Sequence, residues 1–240
     1  MLVKRIHRIA LACLNPLPLF FALVLVTFSA SASTLQQARD KQDIPTLTRI
    51  AGEAANLRAA QPNDADANYQ LAKVQSTLAE VAMELREKGQ ARVAVEAGMP
   101  AAEKAISQKP DRAEYHRILG TLCGQAAAAV GGLGALKYGK CALEEVNKAI
   151  QLDPKSSLNY LSHGVGNYYL PAALGGGLEL ALQDFKKALA LDAKSADAHL
   201  WMGLALRKTN QIAQAEGEFR KALELNPARA FAQKQLAKTP

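Results

Sequence analysis

The sequence predicts an all-α fold: a solenoid of stacked helical hairpins, with lengthened hairpins in the earlier repeats and a capping helix at the C-terminal end. Three observations carry this. Apolar residues make up 49% of the 240-residue chain but aromatics only 5%. Alanine supplies much of the rest, which suits closely packed helices better than sheets, because sheets draw on β-branched and aromatic side chains. An ending of the form Ala-Ile-x-x-x-Pro, or a near relative, recurs at Ala105–Pro110, Ala149–Pro154, Ala188–Ala193 and Ala222–Pro227. The spacing of these endings shortens in order: 48 residues from Pro62 to Pro110, 44 to Pro154, 39 to Ala193 and 34 to Pro227.

Residues 1–32 stand apart from the fold. Lys4, Arg5, His7 and Arg8 form a basic start, Leu17 to Phe28 is an apolar run of twelve, and Ser29-Ala30-Ser31-Ala32 places small residues at Ala30 and Ala32. This is the layout of a secretory signal cleaved after Ala32, and it predicts export, to the periplasm in a bacterial envelope. The alternative is an uncleaved N-terminal anchor. A span needs about 20 apolar residues, and Asn15, Pro16 and Pro18 interrupt the run, so no membrane span is expected after cleavage. The formal charge is +7, and loss of Lys4, Arg5 and Arg8 leaves +4. Basic and acidic residues alternate along the chain, which argues against a nucleic-acid partner.

The elements then follow in order. Residues 33–64 form a partial repeat. Thr34 to Lys41 is the remnant of a first helix. Ile44 to Ala60 is its partner, with Pro45 suited to a first helical turn and Pro62 closing the segment. Four repeats fill 65–227. Their first helices open at Ala65 (ADANYQLA), Ala113 (AEYHRILG), Ser157 (SLNYLSHG) and Ala196 (ADAHLWMG), with Ala or Gly at the eighth position each time. Residues 228–240 supply the cap, with Phe231 and Leu236 on one side and lysines elsewhere. A solenoid needs such a helix over its last apolar face.

The last repeat, Ala196 to Arg229, is gap-free: His199 at position 4, Met202 at 7, Gly203 at 8, Leu206 at 11, Ala215 at 20, Phe219 at 24, Ala222 at 27 and Pro227 at 32. This pattern resembles the tetratricopeptide repeat, a 34-residue helix–turn–helix unit. Small residues at 8, 20 and 27 let helices A and B approach, larger ones at 7, 11 and 24 fill the space between them, and the proline ends helix B. Against 34 residues the first three repeats carry excesses of 14, 10 and 5. Because the repeat ends align, the excess falls between positions 8 and 20 and lengthens the hairpins at their tips.

Two stretches tempt a catalytic reading. GALKYGKC, Gly134 to Cys141, comes within one residue of the phosphate-binding loop G-x-x-x-x-G-K-[ST]. A β-strand should precede such a loop, but GQAAAAV is helix-prone. The final hydroxyl ligand is replaced by Cys141, and no apolar strand ending in Asp follows. The stretch reads instead as the return limb of the second hairpin, with helix A from Ala113 to Val130, a turn at Gly131-Gly132-Leu133-Gly134, and helix B from Ala135 to Gln151. Gly175-Gly176-Gly177, after Pro171, reads as the tip of the third hairpin rather than a phosphate cradle. His116, His163 and His199 fall at helix-packing positions. No spacing suggests a metal site, no Ser–His–Asp set is visible, and neither a catalytic centre nor a cofactor is expected. Cys123 and Cys141 lie nine residues either side of Gly132 and so face each other across that hairpin. A disulfide and two buried free thiols both fit this placement, and export favours the disulfide.

The resemblance implies a non-enzymatic scaffold whose concave face, lined by the A helices, binds a protein or peptide. Family positions that face the groove fall on Tyr69 and Lys73, then Arg117 and Thr121, then Leu161, Val165, Tyr168 and Tyr169, then Leu200, Leu204, Arg207 and Lys208. The alternative for the apolar members is packing against the cap or a neighbouring repeat. A chaperone-type carboxylate clamp would place Lys or Asn at positions 5 and 9 of successive repeats, and Leu161, Val165, Leu200 and Leu204 depart from that. The signal, the long early hairpins and the Pro171…Gly177 arm also resemble the exported tetratricopeptide subunit of bacterial TRAP solute-uptake systems. That likeness implies a second reading, a solute-binding accessory protein with an apolar pocket at Tyr168 and Tyr169.

Overall fold

The computed structural model describes residues 33–130 and 132–239, residues 132–135 by their backbone only. The expected signal, residues 1–32, and Gly131 of the expected turn lie outside the described residues. Helix α1 covers residues 33–40. It is followed by α2 (Ile44–Ala60), α3 (Ala65–Glu84), α4 (Lys88–Gln108), α5 (Ala113–Val130), α6 (Gly132–Leu152), α7 (Ser157–Tyr169), α8 (Leu178–Leu191), α9 (Ala196–Lys208), α10 (Ile212–Leu225) and α11 (Ala230–Leu236). Among the described residues there is no strand, and no helix is long and apolar enough to cross a membrane.

Local chemistry sets the boundaries. The Asp43 carboxylate accepts from the backbone N–H of Thr46 at 3.1 Å and caps α2. Asp64 accepts from the N–H groups of Asp66 (2.7 Å) and Ala67 (2.9 Å) and caps α3. Ser195 caps α9 through the Ala198 N–H at 3.3 Å. Each uses a side-chain oxygen to satisfy a donor that the first turn leaves without a partner. Pro100 lies inside α4, a position the repeat pattern does not anticipate.

The excess residues take two forms. In the first two full repeats they extend both helices, to 20 and 21 residues in α3 and α4 and to 18 and 21 in α5 and α6. In the third they extend neither: α7 and α8 have 13 and 14 residues, the same as α9 and α10. The extra residues form a loop with a single 3₁₀ turn, Ala172–Leu174. Its glycines are required by the backbone: Gly175 and Gly177 have φ of 87° and 120°, where a side chain is strained. The second hairpin also differs from the expected layout. Helix α6 begins at Gly132, so the four-residue turn does not form and GALKYGKC is helical throughout. A phosphate loop needs successive backbone N–H groups free to face an anion, and helix-interior residues spend theirs on the ladder.

The A–B packing is set by atom-scale fit. A Cβ added at Gly164 would lie 2.5 Å from the Phe185 ring, and one at Gly203 would lie 2.7 Å from the Phe219 ring. Both rings are fully buried. Cys123 and Cys141 are joined by a disulfide across α5 and α6, with Cα atoms 5.9 Å apart. The three histidines tie helix A to helix B within their repeats: His116 to Glu145 at 2.7 Å, His163 to Asp184 at 2.9 Å and His199 to Glu218 at 2.6 Å.

The two ends of the solenoid meet. Arg39 of α1 pairs with Glu80 of α3 and with Asp197 of α9, both at 2.8 Å. Arg229, which precedes α11 and is buried, pairs with Glu80 at 2.9 Å and with Glu84. Asn226 donates to Asp40 at 2.9 Å. Burial pushes the Asp197 carboxyl up, but the Arg39 guanidinium, and then Arg229, outweigh it and hold the carboxyl below its ordinary value. Glu84 moves the other way, raised chiefly by burial. The sign for Asp197 follows from linkage. Its folded-state pKa lies below the unfolded value of about 3.9, so the stability it contributes is present above that value and lost as pH falls through the folded one. Thermal unfolding between about pH 5 and about pH 1 should therefore show the wild type losing stability more steeply than Asp197→Asn. Equal slopes would remove Asp197 from the acid response.

Candidate functional site

On α3, Lys73, Thr77, Glu80 and Glu84 recur at helical spacing and form one stripe along the face assigned to the groove. At one end of the stripe Tyr69 stacks on Tyr115 of α5, centroids 4.9 Å apart. The Tyr115 hydroxyl donates to Asp66, which also accepts from Lys109 at 2.8 Å. The ring therefore cannot turn freely, and desolvation followed by that carboxylate pushes the hydroxyl up. Beside the stack are two cations, Lys73 and Arg117. Burial lowers the Lys73 ammonium, and Arg117 lowers it further. Burial also lowers Arg117. Among the described residues neither cation has a carboxylate within 4.0 Å, in a chain whose other guanidinium groups include several tightly paired ones. Arg117 is hydrogen-bonded to the Tyr69 side chain and feels Glu114 only from beyond ion-pair distance, so the two half-buried positive charges, which disfavour each other, form a place where an added anion is favoured.

A second group lies where α7 meets α9. Tyr168 and Tyr169 are edge-on to each other at 5.0 Å, and Trp201 stands 5.5 Å from Tyr168 and 5.9 Å from Tyr169. The Lys208 ammonium sits 3.9 Å from the centre of the Tyr168 ring, a cation–π contact, and has no carboxylate within 4.0 Å among the described residues. Tyr169 is 54% exposed. Its hydroxyl is pushed up to about 12, by desolvation first, then by Tyr168, Glu84 and Glu80. A cavity of about 270 Å³ lies elsewhere, at the tips of α3, α4 and α5. It is lined by Met83, Arg86, Lys88, Ala91, Ala128 and Ala129 and shares no residue with either group.

The twelve residues read from sequence thus divide. Tyr69, Lys73, Arg117, Tyr168, Tyr169 and Lys208 are brought together in the two groups above. Leu161, Leu200 and Leu204 are buried and withdrawn from any groove. Leu161 packs with Ala181 and Phe185, while Leu200 and Leu204 pack with Phe219 of α10 and Ala232 of α11. These leucines are corrected to core residues, because the next helix or the cap closes over them. Val165 packs half-buried against the same core as Leu161. Thr121 donates to the Arg117 carbonyl of its own helix at 2.8 Å. Arg207 serves the cap, donating to the Gln235 side-chain oxygen at 2.6 Å and to its carbonyl at 3.2 Å. Sequence reasoning missed Trp201. The signal was present, since it is the chain's single tryptophan and falls one helix A after Tyr168-Tyr169. The end-to-end charges Arg39, Asp40, Glu80, Glu84, Asp197 and Arg229 were also missed, and no local pattern marks them.

The family model described as regulator of microtubule dynamics protein 1-3 matches residues 30–170. A TPR repeat model matches residues 174–210 and a tetratricopeptide repeat model residues 196–229. Regulator of microtubule dynamics protein 3 of Bos taurus is 28% identical, the match covering 65% of this chain and 39% of the bovine protein. The chain therefore spans about two-fifths of that relative's length. Among solved structures, a thermophilic TPR protein of Thermus thermophilus superposes with a TM-score of 0.60 at 17% identity, covering 92% of this chain and 96% of the other. The HusA haemophore of Porphyromonas gingivalis superposes at 0.55 and 19% identity, covering 70% and 86%. At these identities the two structures speak for the fold.

Proposed function

The chain belongs to the regulator of microtubule dynamics protein 1-3 family, and from that premise we propose that it is a non-enzymatic tetratricopeptide scaffold, exported to the cell envelope, whose A-helix groove receives an extended acidic segment of a protein partner. The observation that carries this reading is the pair Lys73 and Arg117, half-buried beside the Tyr69–Tyr115 stack with no carboxylate within 4.0 Å among the described residues. Lys208 over the Tyr168–Tyr169–Trp201 group continues the same chemistry into the last repeats. Alternating rings and cations outside tight ion pairs suit a chain that offers carboxylates at intervals and apolar side chains between them. The envelope location is supported by the basic start, apolar run and small-residue site of residues 1–32.

The test is fluorescence polarisation with a short fluorescein-labelled peptide rich in Glu and Leu. Wild type should bind it, and Lys73→Glu with Arg117→Glu should weaken binding at least about tenfold, equivalent to about 1.4 kcal/mol. Lys208→Glu provides a second arm at a more exposed site. Undiminished binding by both variants, with helical content unchanged, would sink the reading.

The aromatic group itself favours a second reading, in which a flat apolar solute rests on Tyr168, Tyr169 and Trp201, and the fold is shared with a protein described as a haemophore. Titration with haem, followed by its absorption band, separates the two. Haem binding lost in Tyr169→Ala, with no peptide binding, would favour the solute.

A further inference from the structure

The apolar core is divided while the outline is closed. One set of apolar clusters runs from Leu35 to Ala142 across α1–α6, and the other from Tyr160 to Leu236 across α7–α11. No apolar cluster among the described residues spans the seam where α1 and α3 meet the α9 start and the segment before α11. What crosses it is polar: Arg39 to Asp197, Arg229 to Glu80 and Glu84, Asn226 to Asp40, and Lys234 to Gln42. Two guanidinium groups face four carboxylates there, Asp40, Glu80, Glu84 and Asp197. The fit is also incomplete, since the buried Arg229 Nε has no hydrogen-bond partner and stands 3.6 Å from Asp197 and 3.9 Å from Asp40.

We propose that this seam is a latch: the α1–α6 and α7–α11 halves open and close about the α6–α7 junction, and the charged seam holds them shut. An apolar seam of the same extent would be close-packed and permanent. A seam of charges is different, because each group taken out of water loses hydration that its partners only roughly repay. Closed and open forms of such a seam therefore lie near each other in free energy, and small changes in charge or salt shift the balance. The two halves also divide the groove. Tyr69, Lys73 and Arg117 belong to the first, and Tyr168, Tyr169, Trp201 and Lys208 to the second. Opening the latch changes the span between an anion site and an aromatic site, so the latch sets when both can be used by one partner. That consequence rests on the groove reading above; the latch itself does not.

The experiment uses the full chain with Cys13→Ser, so that the bonded Cys123–Cys141 pair leaves only engineered thiols free. Exposed Lys41 and Lys238 flank the seam and are replaced as Lys41→Cys and Lys238→Cys, then nitroxide-labelled for double electron–electron resonance without any ligand. The expected result is one short distance in this background. It should become longer and broader in Arg229→Gln, and partly so at about 1 M salt, where the screening length falls to about 3 Å. If Arg229→Gln does not fold, Asp197→Asn gives the same reading from a less buried partner. An unchanged short distance in a folded variant at both salt concentrations overturns the latch, even where the acidic peptide binds. A lengthened distance supports it even where no peptide binds.

Discussion

Phe185→Ala is expected to remove about 3–5 kcal/mol of stability, the range for deleting a fully buried aromatic ring with its cavity only partly refilled. The expectation becomes sharper when paired with Gly164, whose missing Cβ makes room for that ring at 2.5 Å. In the wild-type background Gly164→Ala forces the ring or the helices apart and should cost about 1–3 kcal/mol. In the Phe185→Ala background the ring is gone and only the Asp184 Cβ at 3.0 Å still crowds the position, so the same substitution should cost markedly less, offset by up to about 1 kcal/mol from the helix preference of alanine over glycine. Chemical denaturation of the four proteins completes the cycle. Additive effects would mean that the glycine at the eighth repeat position is not there to admit the aromatic ring of helix B.

Loss of the Cys123–Cys141 bond should lower stability by about 3 kcal/mol, from the loop-closure entropy returned to the unfolded chain. The bridged residues are 18 apart. For a chain of this size that corresponds to a fall in midpoint of roughly 6–12 °C. Thermal unfolding with and without dithiothreitol measures it, and Cys123→Ser with Cys141→Ser should reproduce the reduced value. The loss should be felt most by the α5–α6 hairpin, so amide exchange there should accelerate more than in α9 and α10. An unchanged midpoint on reduction would show that helix packing alone fixes that hairpin.

The fold is legible where the signals are local. The starts at Ala65, Ala113, Ser157 and Ala196 coincide with the first residues of α3, α5, α7 and α9, because a cap or turn and a fixed small residue mark each of them. The glycines at 131–134 favour a turn when read in isolation. The long α5–α6 packing surface outweighs that preference and draws Gly132 into α6. Excess length falls between the expected positions, but length alone does not separate longer helices from the Ala172–Leu174 loop. In the candidate site, Lys73, Arg117 and the two tyrosines are visible as repeat positions. Leu200 and Leu204 are not separable from groove residues by sequence, because their burial depends on where α10 and α11 come to rest. The seam is beyond sequence reading, since Asn226 and Asp40 are 186 positions apart and charged residues taken one at a time read as solvated surface.

The meeting of Arg39 and Arg229 with shared carboxylates has a consequence for how the repeats can change in number. In an open solenoid each repeat contacts only its neighbours, so units can be added or removed at an end with local effect. Here the first and last units are neighbours as well, and the array is topologically a ring with a fixed number of members. Inserting a repeat before Ala230 would carry Arg229 away from Glu80 and Glu84, and deleting one would drive the ends past each other. A change in the number of repeats would thus break these ion pairs, and a change at the C-terminal end is felt at helix α1.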